Sequence, residues 1–458
     1  MNQLNKFQDK SIPKLILEFS LPATIGMIVS FSYNIVDRIF VGNKIGADAL
    51  SGVAVLFPIQ IIIFGLAFMI GIGANSNISI QLGKKNISEA SHYLSNALSM
   101  GIIVALLIFA SIHIFFNDIL NLVGSFGSIR PYSSDFLYVV SFGILFQMIS
   151  FSLNNMIRAV GYPNTAMWTQ IIGALINIAL DSLFIFKFNW GVKGAAMATN
   201  IGSFVSMLWV LFFFFTKHTP IHIKFKQLIL NKKIVYSVLA IGIGSFITQV
   251  SGSFITLILN RMLYSYGGAS SIAVMSIASS IEAFMFVPII GLSIGLRPII
   301  GFNYGANDIS RIRSTLKIGV AVTLLVGTIG LILIQLFARN LIALFIPNDV
   351  NILNLGTTAL RTFTLFIELV GLEIIATTYF QSISNAKLSL LLTLNRQLIF
   401  LLPLIFILPS YYGLMGIWYA GAASDFASSI LSASLLFWAF QKLKIKEKEL
   451  LQIPETNI

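Results

Sequence analysis

No cysteine occurs anywhere in the 458 residues, which removes disulfides and thiolate metal sites from consideration. Charge is nearly as scarce. Lys, Arg, Asp and Glu make up 10% of the chain, against about 25% in a soluble domain, so a water-facing globule is excluded. Acids are the rarer sign, 17 against 29 basic residues. The resulting net charge of +12 does not point to nucleic acid, because the basic residues sit between hydrophobic runs rather than along one surface. Phosphate-gripping loops are also missing: the only Gly-Lys pair, Gly83-Lys84, has Ile78 where a Walker motif needs glycine. That argues against ATP hydrolysis within this chain. No nucleophile–base pair or metal-ligand motif stands out, which argues against a membrane-embedded enzyme.

What the chain does contain is apolar. It is 57% hydrophobic with a mean hydropathy of +0.89, the composition of a polytopic membrane protein. Windows of about 20 apolar residues predict twelve spans, at 15–41, 49–76, 92–115, 134–157, 164–186, 192–216, 234–264, 270–298, 315–338, 357–381, 388–408 and 413–440. An even number puts both termini on one side. Placing them inside assigns 21 of the 29 Lys and Arg to inner segments, so the positive-inside rule predicts cytoplasmic termini in the cytoplasmic (inner) membrane. Met1 to Lys14 is polar and basic, and no small-residue cleavage site follows, so no cleaved signal peptide is expected. The expected divisions are a six-helix lobe over 1–216, a basic cytoplasmic linker over 217–233, a second six-helix lobe over 234–441 and a cytoplasmic tail over 442–458. Each such chain is sufficient as a monomer.

Shifted by 222 residues, the chain partly overlays itself. Gly73, Gly83, Ile87 and Ser88 fall on Gly295, Gly305, Ile309 and Ser310, and Gly191 and Gly194 fall on Gly413 and Gly416. Six spans per half means both halves enter the membrane from the same side. The predicted fold is therefore an all-α bundle of two six-helix halves related by a pseudo-two-fold axis along the membrane normal, with sites between the halves as the usual outcome.

Asp37 and Asp181 break the apolar pattern. A carboxylate in a membrane core costs about 2.5–3.5 kcal/mol on insertion scales and usually marks an ion or substrate path. Asn177 lies four residues before Asp181, on the same helix face. Counting inward from the span ends puts Asp37, Asn177, Asp181 and Thr199 at similar depth, near the outer surface. Oxygen ligands of that kind suit a hard cation such as Na⁺; two close carboxylates equally suit a proton. The competing expectation is local neutralisation, with Arg38 beside Asp37 and Lys187 within reach of Asp181. The acids belong to the first half only, since the shift maps Asp181 to Pro403 and Asn177 to Ile399.

Other polar positions are secondary. Glu282 and Asp425 sit midway along the eighth and twelfth spans, where they would line a central cavity or pair with Arg297 or Arg396. Met27 is an adaptable cavity contact, and Pro22 would kink the first span by removing a backbone hydrogen bond. Glu368 and Glu373, five apart, cannot both face one cavity squarely. The Lys442–Lys448 run reads as an anchor to inner-leaflet lipid.

At "VDRIFVG" (36–42), "NIALDSLFIF" (177–186), "GVKGAAMAT" (191–199) and "PIIGFNYGA" (298–306) the sequence resembles the multidrug and toxic compound extrusion (MATE) family, in its DinF-like or multidrug-efflux branches. The resemblance spans all twelve predicted helices. It implies a cation site of Asp37, Asn177, Asp181 and Thr199, a bend at Pro22, and Asn154 as a neighbour of that site, although the span boundaries put Asn154 nearer the cytoplasm and leave it a cavity residue. The function implied is a cation-coupled (Na⁺ or H⁺) antiporter exporting amphipathic, often cationic, small molecules by alternating access, with no cofactor beyond the coupling ion. The alternative is a lipid-linked precursor flippase of related architecture, for which the membrane cores offer few basic residues.

Overall fold

Every regular element among the described residues is a helix. Lipid offers no partner for an open backbone N–H or C=O, and a helix satisfies both within itself. The computed structural model describes residues 4–216, 219–346 and 349–452. In chain order the first spans are α1 (Ile12–Lys44), α2 (Ala47–Gly83), α3 (Ile87–Ile114), α4 (Gly127–Ser141 with Ile144–Ala159), α5 (Pro163–Lys187) and α6 (Gly191–Phe215). One continuous element, Lys232–Gly305, follows. Its 74 residues would run about 110 Å, far beyond a hydrocarbon core of roughly 30 Å. Gly268, with φ 69°, divides it into α7 (232–267) and α8 (269–305); that left-handed conformation favours glycine. The rest are α9 (Ile309–Ala343), α10 (Val350–Phe363 with Ile367–Ser382), α11 (Ala386–Tyr412) and α12 (Leu414–Gln452). These are the twelve predicted spans, most of them longer than predicted, with the seventh and eighth joined where a loop was expected. The last residues of the predicted tail, 453–458, lie outside the described set.

Several spans are interrupted. The two parts of α4 meet at 58°, and Asn200 Nδ2 donates to the Val139 carbonyl at 2.6 Å, covering an acceptor that the break exposes. π-helical turns occupy Ser182–Lys187 in α5 and Asn395–Leu401 in α11. Such turns concentrate at functional sites.

The chain forms two compact units. The first holds residues up to Asp9 together with Leu21–Gln249; the second holds Lys10–Ser20 and residues from Val250 onward. α1 therefore starts in the second unit and passes into the first between Ser20 and Leu21, immediately before Pro22. Likewise α7 starts in the first unit and leaves it after Gln249. Close backbone approach explains the latter. In the first unit a Cβ on Gly73 would stand 2.0 Å from the Val238 carbonyl oxygen, and one on Gly242 1.9 Å from that of Met69. Only glycine lets α2 and α7 pack this tightly. In the second unit a Cβ on Gly295 would stand 2.7 Å from the Ser20 nitrogen. A shift of 222 converts the Gly295–Ser20 contact into Gly73–Gly242.

The duplication extends to turns and caps. Lys85 and Asn307 have φ of 59° and 57°, and Gly191 and Gly413 have 58° and 56°. Asn86 and Asp308, each following one of the first pair, cap the next helix by accepting from Glu89 and Arg311 backbone N–H groups at 3.2 and 3.1 Å. Between the halves, the described part of the basic linker is tied to α3. Asn96 Nδ2 donates to the Gln227 carbonyl at 2.9 Å, and Ser99 Oγ to that of Leu228 at 2.6 Å. Large apolar side chains such as Leu107, Phe212 and Leu336 face outward, as a lipid-facing surface requires.

Candidate functional site

In the first unit the Asp37 and Asp181 carboxyl groups are neighbours close enough to interact directly. α1 supplies one and α5 the other, with the π-helical turn of α5 beginning at the residue after Asp181. Asp181 is fully buried. Among the described residues no donor reaches either Asp181 oxygen or Asp37 Oδ1, and neither acid forms an ion pair with Lys, Arg or His. Lys187 is exposed at the surface, and the Arg38 guanidinium lies 5.4 Å from the Phe57 ring centroid. Two bare anions cannot share so small a desolvated space, so a proton or a cation between them is the arrangement that satisfies both.

The remaining oxygens stand close by. Asn177, 4% exposed, donates through Nδ2 to Thr199 Oγ1 at 3.4 Å, and its Oδ1 has no partner among the described residues. Two neighbouring cavities meet here. A narrow one of about 50 Å³ is lined by Asn154, Gln170, Asn177 and Ser206. A wider one of about 480 Å³ is lined by Asp37, Gln60, Gln147 and Phe136. Tyr33, Phe151, Thr199 and Ser203 line both. Two carboxylates, an unpaired amide oxygen and a hydroxyl form a donor set that fits a hard cation.

Asn154 borders the same narrow cavity as Asn177, which also reaches Thr169 and Gln170 in the first turns of α5. Met27 is half-buried and borders neither cavity. Pro22 lies inside α1, which runs unbroken past it. Glu282 and Asp425 are found in the second unit in an ion-pair cluster. Arg396 donates through Nε to Asp425 at 2.6 Å and through Nη2 to Glu282 at 2.8 Å, while Arg297 turns instead to Gln381 at 3.2 Å. Glu373 lies within electrostatic reach of both Arg396 and Asp425, and its Oε2 has no hydrogen-bond partner among the described residues. Shifting Glu282, Glu373, Arg396 and Asp425 by 222 gives Gln60, Phe151, Ala174 and Ser203, all of which line the first-unit cavities. The duplicated fold therefore builds a polar pocket at the same place twice. In one copy a guanidinium pairs with two of the acids, and in the other no described Lys, Arg or His forms an ion pair with the acids there.

Sequence reading missed Tyr33, Gln170, Gln60 and Ser203. Tyr33 is one turn before Asp37, and Gln170 lies on the face that carries Asn177 and Asp181 at a seven- and eleven-residue spacing. Walking back along those faces would have found them. Gln170 presents its amide nitrogen to the Gly26 carbonyl at 2.9 Å and its oxygen to Arg158 at 3.3 Å, tying α1 to the floor of the narrow cavity.

The MatE family model matches residues 22–183 and again 244–407. The two matches begin 222 residues apart, the offset seen in turns, caps and glycines. "Multidrug export protein MepA" of Staphylococcus aureus (strain NCTC 8325 / PS 47) is 26% identical over 453 residues, covering 98% of this chain and 99% of that protein. MepA of Staphylococcus saprophyticus is 25% identical over 455 residues, with the same coverage. Among solved structures, a MATE protein in the bent conformation superposes with a TM-score of 0.90 at 25% identity, covering 98% of this chain and 99% of that one. A MOP superfamily transporter from Pyrococcus furiosus gives 0.89 at 25% identity over 96% and 98%. The chain belongs to the MATE family of multidrug efflux transporters, and it is a polytopic membrane transport protein rather than an enzyme.

Proposed function

We propose that the protein is a cation-coupled antiporter that exports amphipathic, often cationic, small molecules by alternating access. The observation that carries this reading is the meeting of Asp37 and Asp181 without an ion-pair partner among the described residues. A proton or Na⁺ arriving between them removes a repulsion that no described side chain removes by pairing. To drive transport, that cation must bind the two conformations with different affinity. Pro22 is where α1 leaves one compact unit for the other, and a missing backbone hydrogen bond there makes it the natural hinge. In this reading cation entry at Asp37, Asp181, Asn177 and Thr199 bends α1 and closes the wide cavity on its substrate path. The chain works as a monomer in the cytoplasmic membrane with both termini inside.

The MepA relatives carry multidrug export in their names, which supports the substrate class. A lipid-linked precursor flippase is disfavoured by the state of the buried arginines: Arg396 is held by two acids, Arg297 by Gln381 and Arg158 by Gln170. None of these three is free to grip a pyrophosphate headgroup, and the arginine that does line the wide cavity, Arg38, stands next to the acid Asp37. The test is dye efflux from vesicles with Na⁺ and pH gradients imposed one at a time. One gradient alone should drive efflux; efflux indifferent to both would overturn the reading.

A further inference from the structure

Where α9 and α12 run side by side in the second unit, they enclose a groove of about 570 Å³, within the roughly 300–1,000 Å³ typical of small-ligand clefts. α9 contributes Arg313, Lys317 and Leu324; α12 contributes Phe437, Gln441 and Lys444. The spacing matters. Arg313 and Lys317 share a face one turn apart, and Leu324 continues that face about 10 Å further along. On α12 the same distance separates Phe437 from Lys444. Both helices therefore present a cationic end and an apolar end, and the cationic ends coincide.

The cations are not equally engaged. Arg313 pairs with Glu447. Elsewhere on α12, Lys442 lies over the Trp438 ring at 5.2 Å and Lys446 over that of Tyr304 at 5.8 Å. Lys317 and Lys444 have no ion-pair or ring partner among the described residues. They are exposed and both face the groove.

We propose that this groove binds one anionic phospholipid, its phosphate held by Lys317 and Lys444, with Gln441 alongside and an acyl chain against Leu324 and Phe437. Two facts select lipid over a soluble anion. The groove lies on the surface of a membrane-spanning bundle at its basic end, and its apolar arm is as long as its polar one. Basic pockets between spans at the cytoplasmic side are a recurrent headgroup site. The proposal rests on the chain spanning a membrane and not on what it exports.

The full-length protein is extracted from vesicles of equal parts phosphatidylglycerol and phosphatidylcholine, and retained lipid is counted by native mass spectrometry. Wild type should retain phosphatidylglycerol preferentially. Each lysine near an anionic surface strengthens attraction about fivefold, so Lys317→Gln with Lys444→Gln should weaken retention about 25-fold. Lys232→Gln with Lys233→Gln, the same charge change at exposed positions elsewhere, should leave it intact. Ala321 lines the groove between Lys317 and Leu324, so Ala321→Trp, which fills the apolar arm and keeps both lysines, should also lose the lipid. Equal loss in the Lys232/Lys233 control, or retention in both groove variants, overturns the proposal. So does displacement of the lipid by inorganic phosphate alone, which would make the site one for a free anion.

Discussion

Arg396 holds two carboxylates, and removing it offers the largest stability effect that this structure predicts. The Asp425 side chain is 3% exposed and that of Glu282 13%, so the anions left by Arg396→Gln stay largely out of water. Breaking a buried ion pair from one side costs roughly 3–5 kcal/mol. Arg396 is itself 21% exposed, which places the loss at the lower end, about 3 kcal/mol. Adding Asp425→Asn removes one of the stranded charges. The double variant should therefore recover about 1–2 kcal/mol relative to Arg396→Gln alone, a coupling that only directly interacting groups show. Equilibrium unfolding of purified protein in mixed micelles titrated with sodium dodecyl sulfate measures Arg396→Gln, Asp425→Asn and the double variant against wild type. Additive losses, or a single-variant loss below about 0.5 kcal/mol, would refute the claim that Arg396 neutralises this cluster.

Other consequences follow from the packing and the cation site. Gly242→Val places side-chain atoms against the Met69 carbonyl, 1.9 Å from an ideal Cβ, and should cost at least about 1–3 kcal/mol in the same unfolding assay. Gly101→Ala meets only Ser152 Oγ at 3.6 Å and should be neutral or stabilising by up to about 1 kcal/mol, because alanine is the better helix former. Thr199→Val keeps the shape and removes the hydroxyl that Asn177 donates to. It should raise the cation concentration needed for half-maximal dye efflux about 2–10-fold, with unchanged protein level on an immunoblot.

Much of this was legible in the chain itself. Lipid forces a long apolar run to be a helix, so the twelve spans could be counted, and a charge within such a run is conspicuous, so Asp37 and Asp181 stood out. Depth counting gives a height but not the cavity that a helix face meets. Asn154 borders the narrow cavity together with Thr169, Gln170 and Asn177, a neighbourhood set by helix rotation rather than by distance from a span end. The joining of α7 to α8 was hidden because Gly267-Gly268 reads as a loop when its neighbours are unknown. Partners for Glu282 and Asp425 were narrowed to two arginines, but choosing Arg396 over Arg297 needs the rotation of α8, α11 and α12 about their axes, which periodicity does not specify for helices apolar on all sides. Tyr33 and Gln170 were overlooked for a simpler reason: neutral polar side chains do not interrupt hydropathy as carboxylates do.

Cation binding to the purified protein probes the paired acids without any substrate. In weakly buffered detergent solution, adding Na⁺ to wild type should either saturate as bound Na⁺ or release protons in stoichiometric amount, and Asp37→Asn and Asp181→Asn should each abolish the signal. If both variants bind Na⁺ or exchange protons as wild type does, the carboxylate pair is not the coupling site.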